Sequence, residues 1–127
     1  PESSINFTPE YTIIQSDEGL IKLLIKNILE NSIKYGKNEP IDITIANDTE
    51  QNQAILTIED HGLGMSPNEL HHIYDRFFRA NKSRSKDIQG HGLGMSIVKR
   101  IVSLLNLDIK ISSAPNVGTT VKIFFNL

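Results

Sequence analysis

Gly90-His91-Gly92-Leu93-Gly94 runs directly into Met95-Ser96-Ile97-Val98-Lys99-Arg100, and this junction of a glycine-rich loop with a helical pattern decides how the chain is read. Such a loop at a helix N-terminus presents free backbone N–H groups and the positive end of the helix dipole to an anion such as phosphate. The spacing is G-x-G-x-G, which is not the dinucleotide fingerprint, and no parallel βαβ unit surrounds it. A P-loop is excluded too, because no Lys followed by Ser or Thr comes after the last glycine. Six of the eight glycines fall in three places: Gly62 and Gly64; Gly90, Gly92 and Gly94; and Gly118. Any one group alone reads best as a tight connection; the loop leading into a helix reads as a phosphate site of another kind.

Outward from that loop the pattern is mixed α/β without an internal repeat. Tyr11 to Gln15 is a short β-type run. Ser16, followed by Asp17 and Glu18, reads as an N-cap with acids in the first turn. Leu20, Ile21, Leu24, Ile25, Ile28 and Leu29 then recur at helical spacing, with Tyr35 as the last residue and Gly36 as the stop. Ile41, Ile43 and Ile45 alternate with polar residues, as does the run from Ala54 to Ile58, and Asn47 to Gln53 joins them as a hairpin connection. Ser66-Pro67-Asn68-Glu69 combines a capping box with Pro at the first helical position. Ala80 to Gln89 is polar, basic and without period, which marks a mobile loop. A second long helix is expected from about Leu93 to Asn106, with Ile97, Val98, Ile101, Val102, Leu104 and Leu105 facing the core. Strands near Leu107 to Ser112 and Thr119 to Phe125 flank a turn at Ala114 to Gly118. The order implies a two-layer α/β sandwich, a mixed, mostly antiparallel sheet of about five strands under about three helices.

Composition narrows the function. The chain has 127 residues, which suits one domain spanning residues 1–127. Lys plus Arg is 13 against 15 Asp plus Glu, a balance that argues against a nucleic-acid module. The absence of cysteine excludes thiolate zinc sites and Cys nucleophiles and fits a reducing compartment. No apolar run approaches the ~20 residues of a membrane helix, so no direct membrane contact is expected of this domain. Pro1 is an odd natural start, which suggests a piece of a longer protein.

Two further groups carry chemistry. Asn27, Asn31 and Lys34 are spaced i, i+4 and i+7 and share one helix face. A solvated face is the ordinary reading for Lys34, alone or paired with Glu30. Two Asn one turn apart are harder to dismiss, since their oxygens suit Mg²⁺ and Lys34 suits phosphate. Asp60 ends a strand and precedes His61-Gly62-Leu63-Gly64. An Asp at a turn is common, but a carboxylate at the base of a glycine-lined pocket also accepts the adenine amino group. Guanine would meet it with an acceptor oxygen, at a cost of roughly 1–3 kcal/mol, so the pocket would prefer ATP over GTP.

Together these segments resemble, in order, the sequence boxes of the catalytic ATP-binding domain of bacterial two-component sensor histidine kinases. That domain belongs to the GHKL superfamily shared with gyrase, chaperone and mismatch-repair ATPases, and the resemblance implies its Bergerat fold. Asn27-Ile28-Leu29-Glu30-Asn31-Ser32-Ile33-Lys34-Tyr35 is similar to the asparagine box, and Asp60-His61-Gly62-Leu63-Gly64-Met65 to the first glycine box. Tyr74-Asp75-Arg76-Phe77-Phe78-Arg79 is similar to the phenylalanine box, Gly90 to Met95 to the second glycine box, and Gly118-Thr119-Thr120 to the closing element. The likeness runs from about Ser16 to Phe125. Departures are small: Met65 and Met95 replace the usual branched aliphatics or Leu, His91 a small polar residue, and Tyr74 a Phe.

The resemblance implies roles residue by residue. Asn31 and Asn27 would hold Mg²⁺ and phosphate, Lys34 would touch phosphate, and Tyr35 would lie near adenine or ribose. Asp60 would bind the adenine amino group, with Gly62, Gly64 and Met65 shaping the wall and Thr119 making hydroxyl or water contacts. Gly90, His91, Gly92, Leu93 and Gly94 would surround the phosphates. Ala80 to Gln89 would be the lid, and Arg79 at its hinge would reach the γ-phosphate. Asn31, Lys34 and Arg79 are thus the expected catalytic residues, and ATP and Mg²⁺ the expected ligands.

One position separates kinase from ATPase. In the hydrolysing members a Glu lies one helical turn before the box asparagine and activates water. Here that position is Asn27, an amide that cannot act as a general base. Glu30 projects about 100° away from Asn31 and is not expected to substitute. The implied function is donation of the γ-phosphoryl group to a histidine. The four histidines, His61, His71, His72 and His91, all lie in other contexts. The acceptor would therefore be the dimerisation domain of the same protein, absent from this chain, which alone should not autophosphorylate. A response-regulator receiver domain and a dimer formed through the missing domain are the further partners implied. The expected setting is the cytoplasmic part of a membrane-anchored bacterial kinase. The alternatives are a nucleotide-binding docking module and an ATPase without histidine transfer.

Overall fold

The computed structural model describes residues 5–8, 16–75 and 94–127. The elements in chain order are β1 (Ile5–Thr8), α1 (Glu18–Tyr35), β2 (Ile41–Asp48), β3 (Gln53–Asp60), α2 (Pro67–His71), α3 (Gly94–Leu104), β4 (Asp108–Ala114) and β5 (Gly118–Asn126). The strands form one five-stranded sheet in the order β1-β2-β3-β5-β4. β1 runs parallel to β2, and the other pairs are antiparallel. The mixed, mostly antiparallel sandwich expected from the sequence is the fold observed.

Strand alternation sets the two sides of the sheet. Ala54, Leu56, Ile58 and Asp60 of β3 and Thr119, Val121, Ile123 and Phe125 of β5 are buried, while the residues between them are half-buried or exposed. Leu24 and Ile28 of α1 and Met95, Val98, Ile101 and Val102 of α3 close over that side in a single apolar cluster. The sandwich therefore has one core, and it delivers two polar side chains, Asp60 and Thr119, to the core-facing side at the end of the central strands.

Local signals explain most boundaries. The capping box forms: Ser66 Oγ accepts from the Glu69 N–H at 3.1 Å, and Glu69 Oε1 accepts from the Ser66 N–H at 2.9 Å. Gly36 follows the last residue of α1, as expected, but with a right-handed φ of −83°. The chain reverses through left-handed Lys37 and Asn38 instead.

Two expectations are corrected. The N-cap of α1 is Asp17, not Ser16: its Oδ1 accepts from the Leu20 N–H at 2.9 Å. Both residues are good caps, and the one whose carboxylate reaches the third helical N–H takes the position. Leu104 is 60% exposed rather than in the core. At 3.6 residues per turn it lies about 130° from the centre of the arc formed by Met95, Val98, Ile101 and Val102. Leu105, nearer that arc, does pack against the core. Among the described residues the first strand is Ile5–Thr8, a segment for which the sequence carries no strand expectation. The β-type run Tyr11 to Gln15, the loop Ala80 to Gln89 and the start of the second long helix at Leu93 lie outside the described residues.

Candidate functional site

β3 ends at Asp60, whose side chain is 3% exposed. Its Oδ1 accepts two backbone N–H groups, from Gly62 at 3.0 Å and Thr119 at 3.2 Å. Burial raises its pKa above the ordinary carboxylate value, and the two backbone donors pull the other way. Among the described residues no group donates to Oδ2.

The glycine segment after Asp60 is held against two neighbours. The Leu63 N–H donates to the Tyr35 carbonyl at 2.9 Å, tying the loop to the end of α1. A Cβ on Gly62 would lie 1.9 Å from that same carbonyl, so only glycine permits the approach. On the other side the Asn116 N–H donates to the Leu63 carbonyl at 2.7 Å, tying the loop to the β4–β5 turn. Gly64 has φ +63°, and a Cβ there would lie 1.9 Å from the Ala114 carbonyl. Met65, buried, donates its N–H to Ser113 Oγ at 2.8 Å. Backbone contacts thus bring the Tyr35 carbonyl, Asp60, Gly62, Gly64, Met65 and Thr119 together from four segments of the chain.

The polar stripe Asn27, Asn31 and Lys34 lies on α1, the helix whose last residue meets this loop. Asn27 Nδ2 donates to the Leu23 carbonyl at 2.9 Å, four residues back. Its Oδ1 lies beside the first residue of α3, 3.5 Å from where a Cβ on Gly94 would stand. The structure therefore brings Asn27 to the mouth of α3. A neutral oxygen presented there while the amide nitrogen is occupied suits a hard cation that keeps most of its ligands as water and phosphate. Asn31 is half-buried and Lys34 exposed on the same helix. Arg79, Gly90, His91, Gly92 and Leu93 lie outside the described residues, as do Arg76, Phe77 and Phe78. Tyr74 is half-buried against the core, with Lys99 Nζ 5.1 Å from its ring centroid.

On the sheet side away from the helices, His61 Nε2 lies 3.0 Å from Asp42 Oδ2, and Asn6 Nδ2 donates to Asp42 Oδ1 at 3.0 Å. The hydrogen bond to Asp42 raises the His61 pKa, and the bonds from His61 and Asn6 lower that of Asp42. The sequence reading missed this contact, which depends on strand register. It also missed Ser113, although the inward stripe Ile109, Ile111, Ser113 carries the signal: a polar residue where a third apolar one is due.

A family model described as "Histidine kinase-, DNA gyrase B-, and HSP90-like ATPase" matches residues 16–127. The chain belongs to that family. Its relatives are sensor kinases: the sensor histidine kinase YkoH of Bacillus subtilis is 32% identical over 117 residues, covering 92% of this chain and 25% of that protein. The signal transduction histidine-protein kinase ArlS of Staphylococcus aureus is 43% identical over 98 residues, 76% of this chain and 21% of that protein. The chain therefore spans about a quarter of the length of the curated relatives it matches. Among solved structures, the mycobacterial sensor histidine kinase MprB superposes with a TM-score of 0.75 at 26% identity, over 98% of this chain and 80% of that one. Full-length ShkA in complex with AMPPNP, at 18% identity and a TM-score of 0.78 over 98% of this chain and 25% of that one, shares the fold. This histidine-kinase-type ATPase domain has its family's ATP-binding catalytic role, and no described helix is long and apolar enough to cross a membrane.

Proposed function

We propose that the chain binds Mg-ATP and donates the γ-phosphoryl group to a histidine on the dimerisation domain of a sensor histidine kinase. Asp60 Oδ2 accepts the adenine amino group, with Gly62, Gly64, Met65, Tyr35 and Thr119 around the base. Asn27 and Asn31 offer amide oxygens to Mg²⁺, which neutralises phosphate charge when bound. Lys34 and Arg79 meet the phosphates, and Gly90, His91, Gly92, Leu93 and Gly94 surround them. The acceptor imidazole nitrogen attacks the γ-phosphorus, the bond to the β–γ bridging oxygen breaks, and ADP leaves with that electron pair.

The observation that carries the transfer reading is Asn27. It stands at the mouth of α3 with its nitrogen bound to the Leu23 carbonyl, an amide where hydrolysis needs a carboxylate to activate water. A positioned histidine is the better nucleophile there. The whole protein would be a dimer through its histidine-bearing domain, would pass the phosphoryl group to a receiver domain, and would hold this domain in the cytoplasm of a membrane-anchored kinase.

The test mixes the chain with a separately produced histidine-bearing dimerisation domain of a related kinase and γ-labelled ATP. Acid-labile label is expected on the added domain, none on the chain alone, and a loss of about 100-fold or more in Asn31→Ala. Sustained ATP hydrolysis by the isolated chain without transfer would overturn the proposal.

A further inference from the structure

Ser113 lies on β4, in register with Thr119 of β5, outside every segment assigned a role above. Its hydroxyl makes three contacts: Met65 N at 2.8 Å, the Gly118 carbonyl at 3.0 Å and Thr119 Oγ1 at 2.8 Å. A serine hydroxyl has one proton and two lone pairs. The Met65 N–H can only donate and the Gly118 carbonyl can only accept. The Ser113 proton therefore goes to Gly118, one lone pair takes Met65, and the second is left to accept from Thr119. Only this arrangement satisfies all three contacts. It spends the Thr119 proton on Ser113, so Thr119 turns lone pairs alone toward any other partner.

Thr119 is buried and pairs in register with Asp60, and its own N–H is bound to Asp60 Oδ1. The open Oδ2 of Asp60 and the hydroxyl of Thr119 then both act as acceptors at the same end of the pocket. We propose that Ser113 is a specificity-positioning residue: by fixing the Thr119 proton it makes the pocket require a donor, the 6-amino group of a purine, and refuse a 6-oxo group. The inference rests on the reading of the pocket as an adenine-nucleotide site and adds to Asp60 a second, indirectly set discriminator. Ser113 touches no base; it acts through the Thr119 hydroxyl, whose proton it fixes. Freed from Ser113, the Thr119 hydroxyl can rotate and donate to a 6-oxo purine.

The test is a set of calorimetric titrations of the 127-residue chain with Mg-ATP and with Mg-ITP, whose base differs from adenine in carrying a 6-oxo group. Wild type should prefer ATP. Ser113→Ala should weaken ATP binding and reduce the ATP-over-ITP preference by about tenfold, whereas Ser113→Thr, which keeps the hydroxyl, should hold it within about twofold. In a Thr119→Val background, Ser113→Ala should leave the preference unchanged. If Ser113→Ala does not fold, Ser113→Cys, a poor hydrogen-bonding replacement of similar volume, must lower the preference in the same direction. Equal weakening of ATP and ITP in Ser113→Ala, or in Ser113→Cys where that variant stands in, would overturn the inference, because a merely structural serine loosens the pocket for both. Binding of neither nucleotide by wild type would defeat the adenine-site reading itself, and the inference with it.

Discussion

The two ends of the candidate site are built by opposite means. At the Asp60 end, backbone does the positioning: Gly62 and Thr119 N–H groups fix the carboxylate, and the loop is bound to Tyr35 on one side and to Asn116 and Ser113 on the other. At the Asn27 end, side chains on one helix face do it, and the described contacts are the Asn27 bond to Leu23 and the proximity to Gly94. On the proposed reading the Asp60 end takes a base and must discriminate between similar flat ligands, so its donors and acceptors gain from being immovable. A cation and phosphates are recognised by charge and oxygen count, which tolerates longer, freer side chains.

The contrast breaks most visibly in stability. Gly64→Ala puts a Cβ 1.9 Å from the Ala114 carbonyl at φ +63°, where backbone rather than a flexible side chain must give way. It should cost about 3 kcal/mol or more, lowering Tm by roughly 10 °C. Asn31→Ala, at the other end, should leave Tm within about 2 °C of wild type. Thermal unfolding followed by far-UV circular dichroism measures both, and similar losses in the two variants would erase the distinction.

A smaller effect sharpens the comparison through pH. Burial raises the Asp60 pKa, so the folded chain holds that proton at pH values where the unfolded chain has lost it. Stability from this group therefore falls as pH rises from the ordinary carboxylate value of 3.8 through the raised one. Asp60→Asn keeps an oxygen for the two N–H groups and removes the titration. The difference in Tm between variant and wild type should grow in favour of Asn over that interval and then level off. A difference independent of pH would mean that Asp60 is not desolvated as the structure shows.

The fold and the arrangement of the candidate site were legible where chemistry repeats locally. Asp60 with its glycines, the capping box at Ser66 and the helical apolar spacing of α1 are all set by residues a few positions apart. What escaped depends on distant partners. β1 is a four-residue edge strand whose parallel pairing with β2 no local pattern announces. The Asp42–His61 contact joins β2 to the residue after β3, and Ser113 joins β4 to the glycine loop 48 positions earlier. The misplaced cap, Ser16 for Asp17, is a local contest between two good candidates decided by which carboxylate or hydroxyl reaches Leu20.

The central claim is that the buried carboxylate of Asp60 reads the adenine of Mg-ATP. It is tested most directly by calorimetric titration of a nonhydrolysable ATP analogue into wild type and Asp60→Asn, with and without Mg²⁺. The account predicts saturable binding strengthened by Mg²⁺, and a loss of about 100-fold or more in Asp60→Asn despite a fold at least as stable as wild type. Equal affinity in the two proteins, or no binding by wild type under either condition, would contradict it.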